Sequence, residues 1–337
     1  MLKSPFTART RDGHVLTSRH QVGSQGAHSS TPQHWASHTF RKQTSTVRFS
    51  YIFSSKRSLF ATHANDDNAA IYSEDPTLYD LAFSFRDFSQ EVDFLLEAAA
   101  QRSATGKPPA VLELAAGPGR HAIEFARRGL EVVALDCEES MVELGRQRAK
   151  EAGVELKYVK ADMSDFDAVP TQDGKVSLAC LLLGSSCHLL TNDAIIACFK
   201  STASVLAKDG VFVVECPHPN EVFGVGDMTG DAWDVERGDE TLLVEWGREG
   251  DYFDPITQVL ERTVGFSMLG KDGAVLSSRE DIVKQRLSTA VEIDALARAS
   301  GLQVDGFYGS MDLAIPLDME DEAFRMVVVM RPSDGEL

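Results

Sequence analysis

The sequence predicts an α/β fold with a mostly parallel sheet and a smaller antiparallel sheet inserted late in the chain. Apolar runs of strand length alternate with helical patterns between residues 111 and 215. The first of these runs passes directly into a tight turn, Gly117-Pro118-Gly119, and a helical pattern follows at once. Stretches of alternating polarity between residues 241 and 287 enclose the hairpin signal Gly270-Lys271-Asp272-Gly273, which is typical of antiparallel strands.

The glycine turn and the strand after it indicate a nucleotide-type cofactor. A strand, a Gly-x-Gly turn and a helix bring the backbone close to a ligand at the helix N-terminus. The next strand, residues 131–135, ends in Asp136, which lies 19 positions after Gly117. At that distance a carboxylate can accept hydrogen bonds from ribose hydroxyls.

Two kinds of nucleotide cofactor are compatible with the turn. Residues 117–122 also fit the dinucleotide pattern G-x-G-x-x-A, which keeps an NAD(P)-dependent oxidoreductase as an alternative. Glu113 argues against it, because a carboxylate inside the first strand would repel a pyrophosphate and suit a cationic ligand. A later strand also ends in Asp162-Met163, an acid beside an apolar residue.

With these residues the chain resembles the class I S-adenosylmethionine-dependent methyltransferases over roughly residues 70–220 and 290–332. The resemblance implies a Rossmann-like, seven-stranded, mostly parallel sheet with a C-terminal antiparallel hairpin, and S-adenosyl-L-methionine as the cofactor. Ala115 stands where the family often has its first glycine, which slightly narrows the loop. The residues that the resemblance assigns to the cofactor are Tyr79, Arg86, Glu113, Ala115, Gly117, Gly119, Asp136, Met141, Asp162, Met163 and Leu183.

These residues have different expected roles. Glu113 would attract the positively charged methionine end, which Tyr79 and Arg86 could also touch. Asp136 would hold the ribose and Asp162 the adenine amino group, with Met141 packed on the adenine face. The alternatives are that Tyr79 is a core aromatic, that Arg86 is a surface charge and that Met141 is a core residue.

Three further elements are predicted in the cofactor-binding half of the chain. Residues 89–101 have the spacing of a helix, which in related methyltransferases lids the cofactor. Residues 140–143, Ser-Met-Val-Glu, have the pattern of a capping box at the start of a helix that ends near Gly153. The continuous apolar run at 176–183 predicts a strand buried on both faces, with its carboxyl end at the switch point of the sheet.

The methyl acceptor is expected beyond the fourth and fifth strands. His188 is a candidate general base, because a neutral imidazole can take up a proton near pH 7, and His218 is a second candidate for contact with the acceptor. Together with Cys187 and Cys216 they resemble a soft-metal group, but the spacing matches no known signature, and we expect reduced thiols and no metal. Residues 183–186 lack the Asn/Asp-Pro-Pro-aromatic motif of base methylation, which favours a small-molecule acceptor.

Charge divides the chain in two. Residues 1–64 hold nine Lys or Arg and one acid, so with a net charge of −18 the rest of the chain carries −26. The negative charge of residues 65–337 repels phosphate backbones, which argues against nucleic-acid partners. The basic, hydroxyl-rich leader is typical of a transit peptide to a plastid or mitochondrion, and a disordered leader on a cytoplasmic protein is the alternative. No apolar run is long enough to span a bilayer.

The sequence between 220 and 289 interrupts the main fold. Strands are predicted at residues 241–246, 258–268 and 275–287, as an inserted β cap that covers the pocket or forms homodimer contacts. Its acids are interleaved with Trp233, Trp246, Tyr252 and Phe253, which would suit a cationic amine, whereas a solvated acidic face is the alternative. A helix at 290–300 and strands at 302–308 and 324–330 complete the core.

The predicted organisation is a leader (1–64), a cofactor-binding core (65–219), an inserted β cap (220–289) and the rest of the core (290–337). The predicted function is methyl transfer to a small molecule, with nitrogen favoured as the acceptor atom and oxygen its main competitor. The alternatives are an NAD(P)-dependent oxidoreductase and a cofactor-binding regulatory scaffold without catalysis.

Overall fold

The computed structural model describes residues 70–102, 110–166, 171, 175–223 and 230–333. The predicted leader at 1–64 lies outside the described residues. No described helix is both long enough and apolar enough to cross a bilayer.

The described strands form two sheets. The strands are β1 (Ala110–Leu114), β2 (Glu131–Asp136), β3 (Lys157–Lys160), β4 (Val176–Leu181), β5 (Leu206–Pro217), β6 (Asp231–Arg237), β7 (Glu240–Trp246), β8 (Tyr252–Asp254), β9 (Val259–Leu269), β10 (Val275–Arg286), β11 (Leu302–Tyr308) and β12 (Arg325–Pro332). The helices are α1 (Ala70–Ser73), α2 (Pro76–Ala82), α3 (Phe88–Ala100), α4 (Arg120–Arg127), α5 (Glu139–Glu151), α6 (Asn192–Val205), α7 (Asn220–Phe223) and α8 (Ala290–Ala299), and a 3₁₀ turn spans Ser185–His188.

The larger sheet has seven strands in the order β11-β12-β5-β4-β1-β2-β3. β1 to β5 are parallel, and β12 runs antiparallel to both β5 and β11. Every residue of β1 and β4 is buried, as expected for central strands covered on both faces. The strand order reverses between β1 and β4, so the predicted switch point at the end of β4 is confirmed.

Helices cover both faces of this sheet and form two apolar clusters. On one face, Leu112 and Leu114 of β1 lie in a cluster with Phe199 of α6 and Leu296 of α8. On the other face, Val111 lies in a cluster with residues of α3 and α4. β1 is therefore packed from both sides, and its carboxyl end is held rigidly where the glycine turn begins.

The smaller sheet is the predicted insertion. Its order is β10-β9-β7-β6, with β8 paired to β9, and all its described pairs are antiparallel. The predicted hairpin turn is confirmed, because the Gly273 N–H donates to the Gly270 carbonyl oxygen at 2.8 Å. β6 and β8 were not predicted. In β6 the half-buried Trp233 and Val235 alternate with exposed residues, most of which are charged. The composition of the segment is therefore that of an acidic loop, although its backbone forms a strand.

The inserted sheet packs against the two helices that begin the described chain. Leu78 and Ala82 of α2 share an apolar cluster with Leu242 of β7 and Phe266 of β9. The Trp233 indole N–H also donates to the Ala82 carbonyl oxygen at 2.8 Å. The insertion and α2 therefore form one layer.

The predicted capping box at residues 140–143 is wrong. α5 begins at Glu139, and its N-cap is Glu138, which lies two residues before Ser140 and makes no capping hydrogen bond through its side chain. The Asp136 carboxylate instead accepts the Glu138 N–H at 2.9 Å and sets the entry into the helix. Ser140 thus lies inside the first turn, and its buried hydroxyl has no hydrogen-bond partner among the described residues.

Candidate active site

The loop between β1 and α4 has an unusual backbone. Ala115, Gly117 and Gly119 all have positive φ, at +47°, +54° and +74°. Glycine adopts these angles at little cost, whereas Ala115 is held in the left-handed region against its steric preference. The loop turns tightly and presents its backbone to the cleft at the end of β1.

Glu113 joins β1 to the start of α4. Its side chain is buried, Oε2 accepts the Ala122 N–H at 2.7 Å, and Oε1 lies 3.3 Å from His121 Nδ1. A carboxylate in this position satisfies an orphan donor of the first turn of α4 and complements the positive end of the helix dipole.

Asp136 holds the glycine loop from the next strand. Oδ2 accepts the Gly117 N–H at 2.8 Å, and Oδ1 accepts the Glu138 N–H. Burial raises the pKa of Asp136, and these two N–H groups oppose that rise. Each carboxylate oxygen has a second lone pair, so both can still accept a hydrogen bond from a ligand hydroxyl.

Helix α2 covers the loop. Tyr79 lines the cleft with Glu113, Ala115, Gly117 and Leu183. These five are predicted cofactor residues that the structure brings to one cleft.

Asp80, the next residue, anchors the helix. Its buried carboxylate accepts Arg120 Nε at 2.5 Å and Nη2 at 2.8 Å, and it also pairs with Arg148 of α5. α2 is thereby tied to both α4 and α5.

Arg86 does not line this cleft. Its Nε donates to Glu91 at 2.9 Å, and its terminal nitrogens donate to Glu215 at 3.0 to 3.1 Å. Glu215, at the end of β5, also accepts Arg325 Nη1 at 2.7 Å and the Leu183 N–H at 2.9 Å. Arg86 is therefore part of a buried ion network that supports the end of β4.

His121 closes that network on the side of the glycine loop. Its Nε2 lies 2.7 Å from Glu91 and its Nδ1 faces Glu113. Burial alone would lower the pKa of His121, but the hydrogen bonds and charges of Glu113 and Glu91 raise it to about 9. A protonated His121 with two arginines balances the three carboxylates. The full network is Arg86, Glu91, Glu113, His121, Glu215 and Arg325.

Other predicted cofactor residues are not part of the cleft lining. Met141 is buried in α5, and Met163 packs against the core next to the end of β3. Asp162 is exposed, and its Oδ1 accepts the Ser164 N–H and hydroxyl, both at 2.7 Å. Gly119 precedes α4, and its N–H donates to the Ala116 carbonyl oxygen.

His188 ends the 3₁₀ turn after β4. Its ring is accessible, lies edge-on to Tyr72 with 5.4 Å between ring centroids, and has Nε2 3.5 Å from the Tyr72 hydroxyl. Desolvation by the surrounding protein lowers the pKa of His188 to about 4. Burial likewise raises the pKa of Tyr72 well above its usual range. Both groups are therefore neutral at pH 7.

His218 is in a different situation. Nδ1 accepts the Asn220 N–H at 3.1 Å, and Nε2 lies 2.9 Å from the Asp318 carbonyl oxygen, to which it donates. Both ring nitrogens are thus engaged, and His218 has no free lone pair for a substrate proton. No group of three or more His, Cys, Asp or Glu side chains in the described part of the chain could hold a metal ion.

The fold and the cleft define an α/β protein with a nucleotide-cofactor site at the switch point of its sheet. Residues 111–210 match the family model described as "Methyltransferase domain". A Bacillus subtilis (strain 168) protein named "Putative methyltransferase YqeM" is 25% identical over 176 residues, which cover 52% of this chain and 66% of YqeM, just under two thirds of its length.

Two solved structures share the fold. One is SAM-bound CalS10, an amino pentose methyltransferase from Micromonospora echinaspora, with 19% identity and a TM-score of 0.57 over 75% of this chain and 96% of that one. The other is the sugar N-methyltransferase KedS8 from Streptoalloteichus sp. ATCC 53650, with 16% identity and a TM-score of 0.58 over 83% and 98%. The chain is thus similar to a methyltransferase domain over residues 111–210 and shares the fold of S-adenosylmethionine-dependent methyltransferases, and these likenesses support S-adenosylmethionine as the cofactor. The match to a methyltransferase domain favours the methyltransferase interpretation over the oxidoreductase alternative.

Proposed function

We propose that the protein transfers a methyl group from S-adenosylmethionine to an amine nitrogen of a small molecule. The observation that carries the proposal is the pair formed by the exposed ring of His188 and the half-buried ring of Tyr72, both of which are neutral. It follows β4 directly, and Leu183 and Ser185 of the same segment line the cofactor cleft. An acceptor held by the pair would therefore lie next to the cofactor.

Three groups would hold the cofactor. Asp136 has lone pairs left for ribose hydroxyls, the loop at Gly117 offers backbone with no side chain in the way, and Glu113 adds a carboxylate at the cleft for a cationic end. The sulfonium of the cofactor supplies a methyl group that is already activated. The protein is then required mainly to align donor and acceptor.

An amine acceptor fits the chemistry of the pair. A neutral imidazole nitrogen accepts a hydrogen bond from an amine N–H, and so orients the nitrogen lone pair. With a pKa of about 4, His188 is too weak a base to compete for an amine proton at pH 7, so its expected role is orientation. The names of KedS8 and CalS10, a sugar N-methyltransferase and an amino pentose methyltransferase, also support an amine acceptor.

The experiment is a survey of acceptors with the full-length protein. S-adenosylhomocysteine release is measured with matched amine and hydroxyl forms of the same small molecules, among them amino sugars. We expect turnover with an amine and none with its hydroxyl counterpart. Turnover confined to hydroxyl compounds would refute the nitrogen assignment, and binding without turnover across the survey would favour the non-catalytic scaffold.

Two histidine variants then test the site. His188→Ala should lower kcat at least about tenfold and leave S-adenosylhomocysteine affinity unchanged, because the lost contact belongs to the acceptor side. His218→Asn is the matched control, since that imidazole is engaged with Asn220 and Asp318. Equal loss in both variants would contradict the role given to His188.

A further inference from the structure

Tyr158 lies directly behind the glycine loop. It belongs to β3 and is 6% exposed, and its hydroxyl donates a hydrogen bond to the Gly117 carbonyl oxygen. The ring is not part of the cleft lining, which contains Gly117 itself. Tyr158 thus contacts the glycine loop without lining the cleft.

The space for this ring is made by a glycine in α5. A Cβ atom on Gly145 would stand 2.0 Å from Tyr158 Cε1, so a side chain at this position would require the ring to move. Gly145 lies in the middle of α5, where glycine is unfavourable because of its conformational entropy. Glycine at this position is explained by the ring that it admits.

Asp136 and Tyr158 form hydrogen bonds to the two backbone groups of Gly117, its N–H and its carbonyl oxygen. Asp136 accepts the Gly117 N–H at 2.8 Å, and Tyr158 donates to the Gly117 carbonyl. Between these two bonds the residue keeps a φ of +54°. A glycine can leave such an angle freely, so the two bonds select one of its many conformations.

We propose that Tyr158 is a positioning residue for the cofactor, which acts through the Gly117 carbonyl and touches no substrate. With the hydroxyl present, the loop is held in the conformation that leaves the cleft open for the ligand. Without it, the loop samples other conformations, and part of the binding free energy is lost in ordering it.

The test is Tyr158→Phe in the full-length protein, with S-adenosylhomocysteine binding measured by titration calorimetry. Loss of one buried hydrogen bond to the loop should raise Kd about 3- to 10-fold. The matched control is Tyr308→Phe, which removes a hydroxyl from a half-buried tyrosine of β11 in the same sheet. Its Kd should equal that of the wild type.

A purely structural role would give a different pattern. Urea unfolding of the same variants would then show lower stability for Tyr158→Phe with an unchanged Kd, which overturns the proposal, as does an equal rise of Kd in both variants. Gly145→Ala, which drives the ring out of its space, provides a second test and should raise Kd at least as much as Tyr158→Phe. A wild-type protein that fails to bind S-adenosylhomocysteine would refute the cofactor assignment, before any variant is compared.

Discussion

The protonation of His121 makes the stability of the protein depend on pH in a defined direction. Its imidazole is almost fully buried between Glu91 and Glu113 and has a pKa of about 9, against an ordinary value of 6.5. In the unfolded chain the same group titrates near 6.5. The folded state therefore binds this proton more tightly than the unfolded state does.

The size of the effect follows from the two pKa values. A difference of one unit corresponds to about 1.4 kcal/mol, so the interval from 6.5 to about 9 amounts to about 3 kcal/mol. Because the folded pKa of His121 is the higher one, this stability is fully present below pH 6.5. It is lost as the pH rises through about 9.

The assay is urea unfolding at a series of pH values from 6 to 10. We expect His121 to contribute about 3 kcal/mol to the fall in the free energy of unfolding across this range in the wild type, and the four buried cysteines, whose pKa values are raised by burial, to add to the fall above about pH 8.5. His188→Gln is the matched control, because the pKa of His188 is lowered and its own contribution is lost below pH 6.5 instead. The control should therefore keep the whole decline above pH 6.5.

Direct titration protects the test against a variant that fails to fold. His121→Gln leaves Glu91 and Glu113 without their shared cation, which costs about 3–5 kcal/mol when a buried pair is broken. If that variant unfolds, the His121 ring protons can be followed by NMR in the wild type. A midpoint at or below 6.5 would refute the charge assignment of the network.

Three other perturbations address the cofactor loop and its cover. Asp136→Ala removes the acceptor of the Gly117 N–H, so calorimetry should show S-adenosylhomocysteine affinity reduced more than about tenfold, and an unchanged affinity would contradict the ribose role. Asp80→Asn weakens the anchor of α2 and should lower the free energy of unfolding by about 1–3 kcal/mol; a stability equal to the wild type would show that the anchor is dispensable. Trp233→Phe removes the hydrogen bond to the Ala82 carbonyl oxygen and should lower the free energy of unfolding by about 1 kcal/mol, which thermal unfolding would detect. Trp246→Phe is the control, because it breaks no indole hydrogen bond described in the structure.

The parts of the fold that depend on local pattern could be predicted from the sequence. β4 was recognisable because a continuous apolar run indicates a strand buried on both faces. The turn at Gly117 and the acid at Asp136 are separated by a distance set by one β-α-β unit, so their meeting could be inferred without coordinates. Both predictions depend on features that lie within about twenty residues of one another in the chain.

The ion network could not be predicted, because its partners are far apart in sequence. Arg86 and Glu215 are separated by 129 residues, and Glu215 and Arg325 by 110. Each is one of many charged residues in the chain, and no local pattern indicates which of them will be buried together. The assignment of Arg86 to the cofactor follows from the family resemblance, which does not indicate these partners.

The C-terminal hairpin contributes to the cofactor cleft through that network. β12 lies antiparallel beside β5, and this pairing brings Arg325 to the Glu215 carboxylate. Glu215 in turn holds the N–H of Leu183, a residue with a positive φ of +53° that lines the cleft. A non-glycine residue keeps such an angle only where its surroundings determine it. The last strand therefore does more than complete the sheet, because it supplies one of the two arginines that hold a buried carboxylate against the end of β4.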